Sequence, residues 1–436
     1  MKKLVCALLL TLVFSAFVFS TGEQEKTAVE VGPQKLVVWC NAVHKQVADG
    51  TRGGAQINIV KNFEAEYNAQ VEWITIPWEE MQNKVLRELT FPQGESDIIF
   101  IHSAWADRNT VNLLESLNGR MKKDPIEDFD DMAEGLMAPY VLNNNLYGIP
   151  YRITLRGLHF NKRIFTERGI QGPPKTQEEL MDVARKATYK RADGAQVYGL
   201  GLRRGDILTF IRGYGGYVLS PDFEIGCNKP EVIRALEALK SLHKERVIPP
   251  NFSVLTTSDV QNLVSEGLAA MASFPDSYYT RFNDPTKSKE AGNLDVAFFP
   301  ATKEQGLKAA PSDTAIWAAC IPKNAKEENK ALAYQFIRFF ASKDAQLKTA
   351  LNGNSPVRIS TYNAEEFKKD VPYAAVSRET VKTASPNLPT FIGTAQVNDI
   401  IEEESSAAIM GDKEVKEAME EAYKKIEAVL KEAGVK

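Results

Sequence analysis

The 436-residue chain carries 53 Lys and Arg against 57 Asp and Glu, with four His and four Cys. That length exceeds what one hydrophobic core fills, so two domains or lobes are expected. The acidic balance excludes a nucleic-acid backbone or an anionic lipid surface as the main partner.

Lys2 and Lys3 precede an apolar run from Leu4 to Phe19, and Ser20, Thr21 and Gly22 follow. A short positive segment, an apolar stretch and a small-residue exit describe a cleavable signal peptide over residues 1–20. The run is short for a bilayer span, which takes about 20 apolar residues. Cleavage after Ser20 or Gly22 removes two lysines and leaves 51 of the 53 basic residues against 57 acids, a net charge near −6. No Cys lies at this exit, and Cys6 lies too early to carry a lipid. A protein free in a periplasm is therefore expected, since no later segment is apolar enough to cross a membrane. Residues 21–34 are polar and aperiodic and read as a flexible tether.

The folded part begins at Lys35-Leu36-Val37-Val38-Trp39-Cys40, a continuous apolar strand of the kind buried on both faces of an α/β sheet. Ile57, Val60, Phe63 and Tyr67 then repeat at helical spacing. Val71–Ile76 is a second strand, stopped by Pro77. A helix around Glu79–Leu89 leads to the strand Asp97–Ile101. This alternation predicts a parallel sheet with right-handed crossovers. Further on, Thr176 with Glu179 forms a capping box opening a helix through Lys186, and Asn228 with Glu231 reads as a similar start. Leu332, Phe336, Phe339 and Phe340 mark another core-facing helix. The last helix, roughly Lys413–Ala433, carries Val415, Met419, Ala422, Ile426, Val429 and Leu430 on one face.

Recognisable catalytic and cofactor signatures are missing. His44, His102, His159 and His243 lie far apart, with no metal-ligand spacing among them or with the cysteines. There is no nucleophile elbow and no phosphate-binding loop. Gly199, Gly201 and Gly205 miss the dinucleotide fingerprint by one residue and read as a turn. Asp206, Asp276 and Asp313 could in principle serve a glycosidase, but the sequence does not bring two of them to catalytic separation. No cofactor is therefore expected. After export three cysteines remain, Cys40, Cys227 and Cys320, an odd and scattered set that reads as buried thiols, with one bridge left open.

A set of ordered motifs gives the chain its nearest likeness. These are Asn145–Arg152, Gly157-Leu158-His159-Phe160-Asn161-Lys162, Pro174-Lys175-Thr176 with Glu178-Glu179-Leu180, and Gly215-Gly216. Gly267–Met271, Trp317 with Ile321-Pro322-Lys323, and Ser355-Pro356-Val357-Arg358 follow in the same order. Together they resemble family 1 of the bacterial extracellular solute-binding proteins, the maltose-binding-protein-like group. Ala318-Ala319-Cys320 departs from the Gly-Leu-Ala usual there. The resemblance implies a two-lobed periplasmic-binding-protein fold, type II-like, with three interlobe crossings and a ligand cleft between lobes. The crossings map near Arg152–Arg156, Ala315–Cys320 and Ser355–Ser360. One lobe would hold residues 35–153 and 320–354, the other 157–314 and 360–436.

It also implies the substrate-binding subunit of an ABC-type importer, a monomer that captures a mono- or oligosaccharide and delivers it to membrane permease subunits. An exported polysaccharide-acting hydrolase and a sensory protein on the same fold are the alternatives. Sugars offer apolar faces to aromatic rings and hydroxyls to planar polar groups, and open α/β sheets place ligands at strand ends. Those criteria, with the resemblance, pick out Asn41 and His44 after the first strand, Trp78 after the second, and Ser103 and Trp105 after the third. Arg152 and Arg156 flank the first crossing. Arg203, Asp206, Asp276, Tyr278, Asp313, Trp317 and Arg358 complete the set, with Trp317 the leading stacking candidate. The arginines keep acidic sugars alongside neutral ones as cargo.

Overall fold

The computed structural model describes residues 32–132 and 134–435, without the side chain of Glu134. The signal peptide and nearly all of the tether lie outside the described residues. Eight strands build two sheets: β1 (Gln34–Cys40), β2 (Ala69–Thr75), β3 (Ile98–His102), β4 (Gly148–Ile153), β5 (Arg156–Asn161), β6 (Met271–Pro275), β7 (Leu294–Phe298) and β8 (Ile316–Cys320). The larger sheet runs β2-β1-β3-β8-β4 and the smaller β6-β5-β7.

The first three strands pair in parallel, as their apolar runs and intervening helices Val60–Tyr67 and Trp78–Thr90 require. Beyond them the sheet becomes mixed. β8 lies antiparallel to both β3 and β4, and the smaller sheet is antiparallel throughout. β8 alone is reversed, because it enters the sheet from the other lobe without a βαβ unit; β4, antiparallel to β8, again runs parallel to β1–β3.

Thr176 caps the helix Gln177–Ala187 by accepting from the Glu179 amide. The second expected cap is different. The helix Pro230–Lys244 starts after Lys229 with Pro230 in its first turn, where the missing N–H costs nothing, and Asn228 instead donates to Glu420. The closing helix Val415–Glu432 buries all six of its expected apolar residues. Cys40, Cys227 and Cys320 are buried free thiols.

The strand Gly148–Ile153 belongs to one sheet and Arg156–Asn161 to the other, so the first crossing narrows to Thr154 and Leu155. The second crossing precedes Ile316, because all of Ile316–Cys320 lies in the larger sheet. The third shifts furthest from the expected position. Tyr362 and Phe367 still pack in the core of the first lobe, the helix Ala374–Thr380 reaches the strand Leu294–Phe298 of the smaller sheet, and Leu388 joins the second core. Ser355–Ser360 carries no change of lobe, because the short helices after it keep burying rings against the first core. The crossings are tied together: the Thr154 amide donates to Ala315 O (3.0 Å), the Thr314 amide to Ser385 O (3.0 Å) and the Ser385 amide to Ser312 O (3.1 Å).

Candidate functional site

β1, β2 and β3 end side by side, and each end delivers an aromatic or imidazole side chain to the same place. Register across the larger sheet sets His102, Trp317 and Arg152 opposite one another on three neighbouring strands. Cross-strand partners present their side chains to one face at contact distance. Trp317 meets His102 edge-on at 4.9 Å between ring centroids and His44 at 4.7 Å. Trp78, the first residue of its helix, stacks on Trp105 at 5.4 Å with 24° between planes, and both meet the edge of Trp317. Three tryptophans and two imidazoles thus form one box. Trp105 and Trp317 are buried, whereas Trp78 is 40% exposed and offers a free face.

Burial keeps both imidazoles neutral. It pushes His102 down to about 3, with the nearby Arg152 charge adding to the effect, and holds His44 well below the usual histidine range. His44 Nδ1 lies 3.2 Å from Asn41 O, and its buried Nε2 has no partner. A cavity of about 280 Å³ is lined by Ala106–Arg108 from one lobe and Thr390–Ile392 from the other, with none of the box residues in its lining. A larger cavity of about 900 Å³ is formed by residues 169–186 and 297–308, away from the box and the crossings.

Across the first crossing the chemistry changes to paired charge. Arg156 donates from Nε to Asp313 (3.2 Å) and from Nη1 to Asp206 (3.1 Å), and Arg203 approaches Asp206 at 3.2 Å. Thr209 donates to the second Asp313 oxygen at 3.0 Å. Two guanidinium groups and two carboxylates balance one another here. The neighbouring Ser273 hydroxyl and Arg203 Nε are buried without partners.

Several expected site residues have structural work instead. Arg358 is wholly buried in the first lobe, donating to the carbonyls of Ala341, Asp128 and Glu127 and to the Asp131 carboxylate. All three guanidinium nitrogens are engaged, so it pins the chain and leaves the site set. Asp276 is likewise buried, accepting from Ser355 (3.0 Å), from Ser377 and from the Ser277 amide (2.6 Å). Burial still outweighs these donors and raises it to about 6. It holds the crossings together. Asn41 caps the helix Ala42–Asp49 and donates to Ile76 O, and Ser103 Oγ accepts from the Ile316 amide. Tyr278 stacks on Phe274 and accepts from Gln261.

Sequence reasoning missed Arg52. Its guanidinium lies 5.1 Å from the centre of the Tyr278 ring and donates to Gly353 O at 3.2 Å. The signal was present in Gly50-Thr51-Arg52-Gly53-Gly54. Gly50, Gly53 and Gly54 all adopt positive φ, and a Cβ on Gly54 would lie 2.1 Å from Leu351 O. A lone arginine inside so tight a loop is delivered inward, to the hinge.

Two α/β lobes joined by three adjoining crossings are the architecture of a solute-binding protein. The chain belongs to the bacterial extracellular solute-binding protein family, whose pattern matches residues 18–347. It is 24% identical over 398 residues to the maltotriose-binding protein of Pyrococcus abyssi, spanning 87% of this chain and 80% of that one. The diacetylchitobiose binding protein DasA of Streptomyces coelicolor is 21% identical over 356 residues, 76% of this chain and 78% of its own. Among solved structures, maltose-bound MalE3 of T. maritima superposes with a TM-score of 0.77 at 21% identity, covering 91% of this chain and 100% of that one. No helix among the described residues is long and apolar enough to cross a membrane.

Proposed function

We propose that this protein is the substrate-binding subunit of an ABC importer, which captures a mono- or oligosaccharide between its lobes by hinge closure. It works as a monomer outside the inner membrane, exported by its signal peptide, and hands its cargo to permease subunits. The observation that carries this reading is the Trp78–Trp105–Trp317 box, with one indole face open beside the cleft. Such faces bind sugar C–H surfaces, while the unpartnered His44 Nε2 and Ser273 hydroxyl suit a rim of ligand hydroxyls. The relatives named for maltotriose and diacetylchitobiose support a saccharide cargo.

The alternative, an exported hydrolase, asks for two carboxylates free to exchange protons with substrate. Asp206 and Asp313 are both engaged by Arg156, and Asp276 by two serines, which favours binding over turnover. The test is a thermal-shift and calorimetric panel of mono- to tetrasaccharides with product analysis. A saturable rise in melting temperature with intact sugar is expected, about 2.7 kcal/mol of stabilisation at a hundredfold excess over Kd. Released product, or no response to any saccharide, overturns it.

A further inference from the structure

Arg52 and Arg152 are 3% and 4% exposed, and they stand out from the other arginines of the cleft region. Arg156, Arg203 and Arg358 each face a carboxylate within ion-pair distance. Among the described residues Arg52 and Arg152 form no such pair. Arg52 reaches only the carbonyls of Gly353 and Ser277 and the Tyr278 ring, and Arg152 Nε has no partner. A buried cation is ordinarily paired, because removing it from water is costly unless an anion compensates.

The local carboxylate, Asp276, offsets one positive charge at most: its field acts on both guanidinium groups, but it pairs directly with neither. Ser355, Ser377 and the Ser277 amide already occupy its oxygens. Nor do His44 and His102, which stay neutral, change the balance. The two guanidinium groups repel each other, and Arg152 is lowered to about 10, by burial first and Arg52 next. The site therefore has more buried positive charge than the fold neutralises. Arg152 also sits in register with Trp317, so this charge adjoins the ring box.

We infer that the cargo is an acidic saccharide whose oxyanion seats against Arg152, with Arg52 behind it, while a sugar face lies on Trp78. This rests on the saccharide-binding reading and narrows it. A uronate carboxylate and a sugar sulfate ester share the required chemistry. A planar guanidinium suits either, in paired hydrogen bonds that a neutral hydroxyl cannot match.

The experiment titrates the full exported chain with digalacturonate, its dimethyl ester, digalactose and galactose 6-sulfate, by calorimetry. Methyl esterification removes the charge and keeps the rings. Digalacturonate is expected to bind about 10- to 100-fold more tightly than its ester, the range of hydrogen bonds to a charged group. Arg152→Gln should abolish that ratio. Preference for galactose 6-sulfate over both digalacturonate and digalactose supports the inference and assigns the oxyanion to a sulfate ester. Equal binding of acid and ester, or binding of digalactose alone, overturns the inference and leaves saccharide binding standing. Silence from all four, with the neutral panel also silent, removes the underlying reading. The acid-to-ester ratio is read on the unaltered protein, so a poorly folding variant does not blunt the test.

Discussion

The two walls of the cleft answer the same question, how to keep polar groups near a binding surface, in opposite ways. On the larger-sheet side, strand ends present tryptophans, neutral imidazoles and the Arg152 guanidinium, whose Nε has no partner. On the smaller-sheet side Arg156, Arg203, Asp206 and Asp313 are matched to one another. On the proposed saccharide reading, the ligand completes the first wall. The second is largely complete by itself, so it works as a rigid, preorganised backing across the hinge. Removing a residue from each wall should therefore damage different properties.

The largest effect is expected at Trp317. Chosen from sequence as the stacking residue, it is only 5% exposed and touches His44, His102, Trp78 and Trp105. Trp317→Ala opens a cavity at the centre of the box and should cost about 3–5 kcal/mol in urea-unfolding experiments, together with ligand binding. A loss below about 1 kcal/mol would mean the ring is less tightly held than its contacts require.

Asp206→Asn comes next and probes the paired wall. Arg156 and Arg203 then share one fewer carboxylate in a site where side-chain exposure is only 12% and 19%. Breaking fully buried pairs costs about 3–5 kcal/mol, and this partly exposed network should lose about 2 kcal/mol. Because Arg156 contacts the altered group, Arg156→Met combined with Asp206→Asn should cost less than the sum of the single changes. Strict additivity would show that the two groups do not act as a unit.

The contrast between walls also explains what the sequence made legible. That His44, Trp78 and Trp105 come together was readable because apolar runs locate the ends of parallel strands, and the residues after those ends share one side of the sheet. The reversed direction of β8 was not, since a two-lobed chain can return by either route and no local residue encodes strand direction. Acidic and basic residues near the crossings were also readable as candidates. Whether each would face ligand or a partner was not, because pairing depends on contacts such as Arg156 with Asp206, 50 positions apart. Arg358 and Asp276 left the site for the same reason. Arg52 entered it through three positive-φ glycines that composition alone does not mark as inward-turning.

The smallest effect on stability, and the sharpest separation of the two walls, is expected at Trp78. It opens the helix Trp78–Thr90, 40% exposed, stacked on Trp105 and meeting His102 and Trp317 at steep angles. Trp78→Ala removes a ring that water already reaches, so unfolding should change by about 1 kcal/mol or less. A sugar stacked there would lose its apolar partner, and binding should weaken by about 1–2 kcal/mol, roughly 5- to 30-fold. Trp78→Phe keeps a ring and should recover part of that loss. The pair of variants separates stacking from packing where Trp317 cannot. If Trp78→Ala binds every saccharide as tightly as the unaltered protein, the open face is not the sugar platform, and the cargo must contact the first wall through Arg152 and His44 alone.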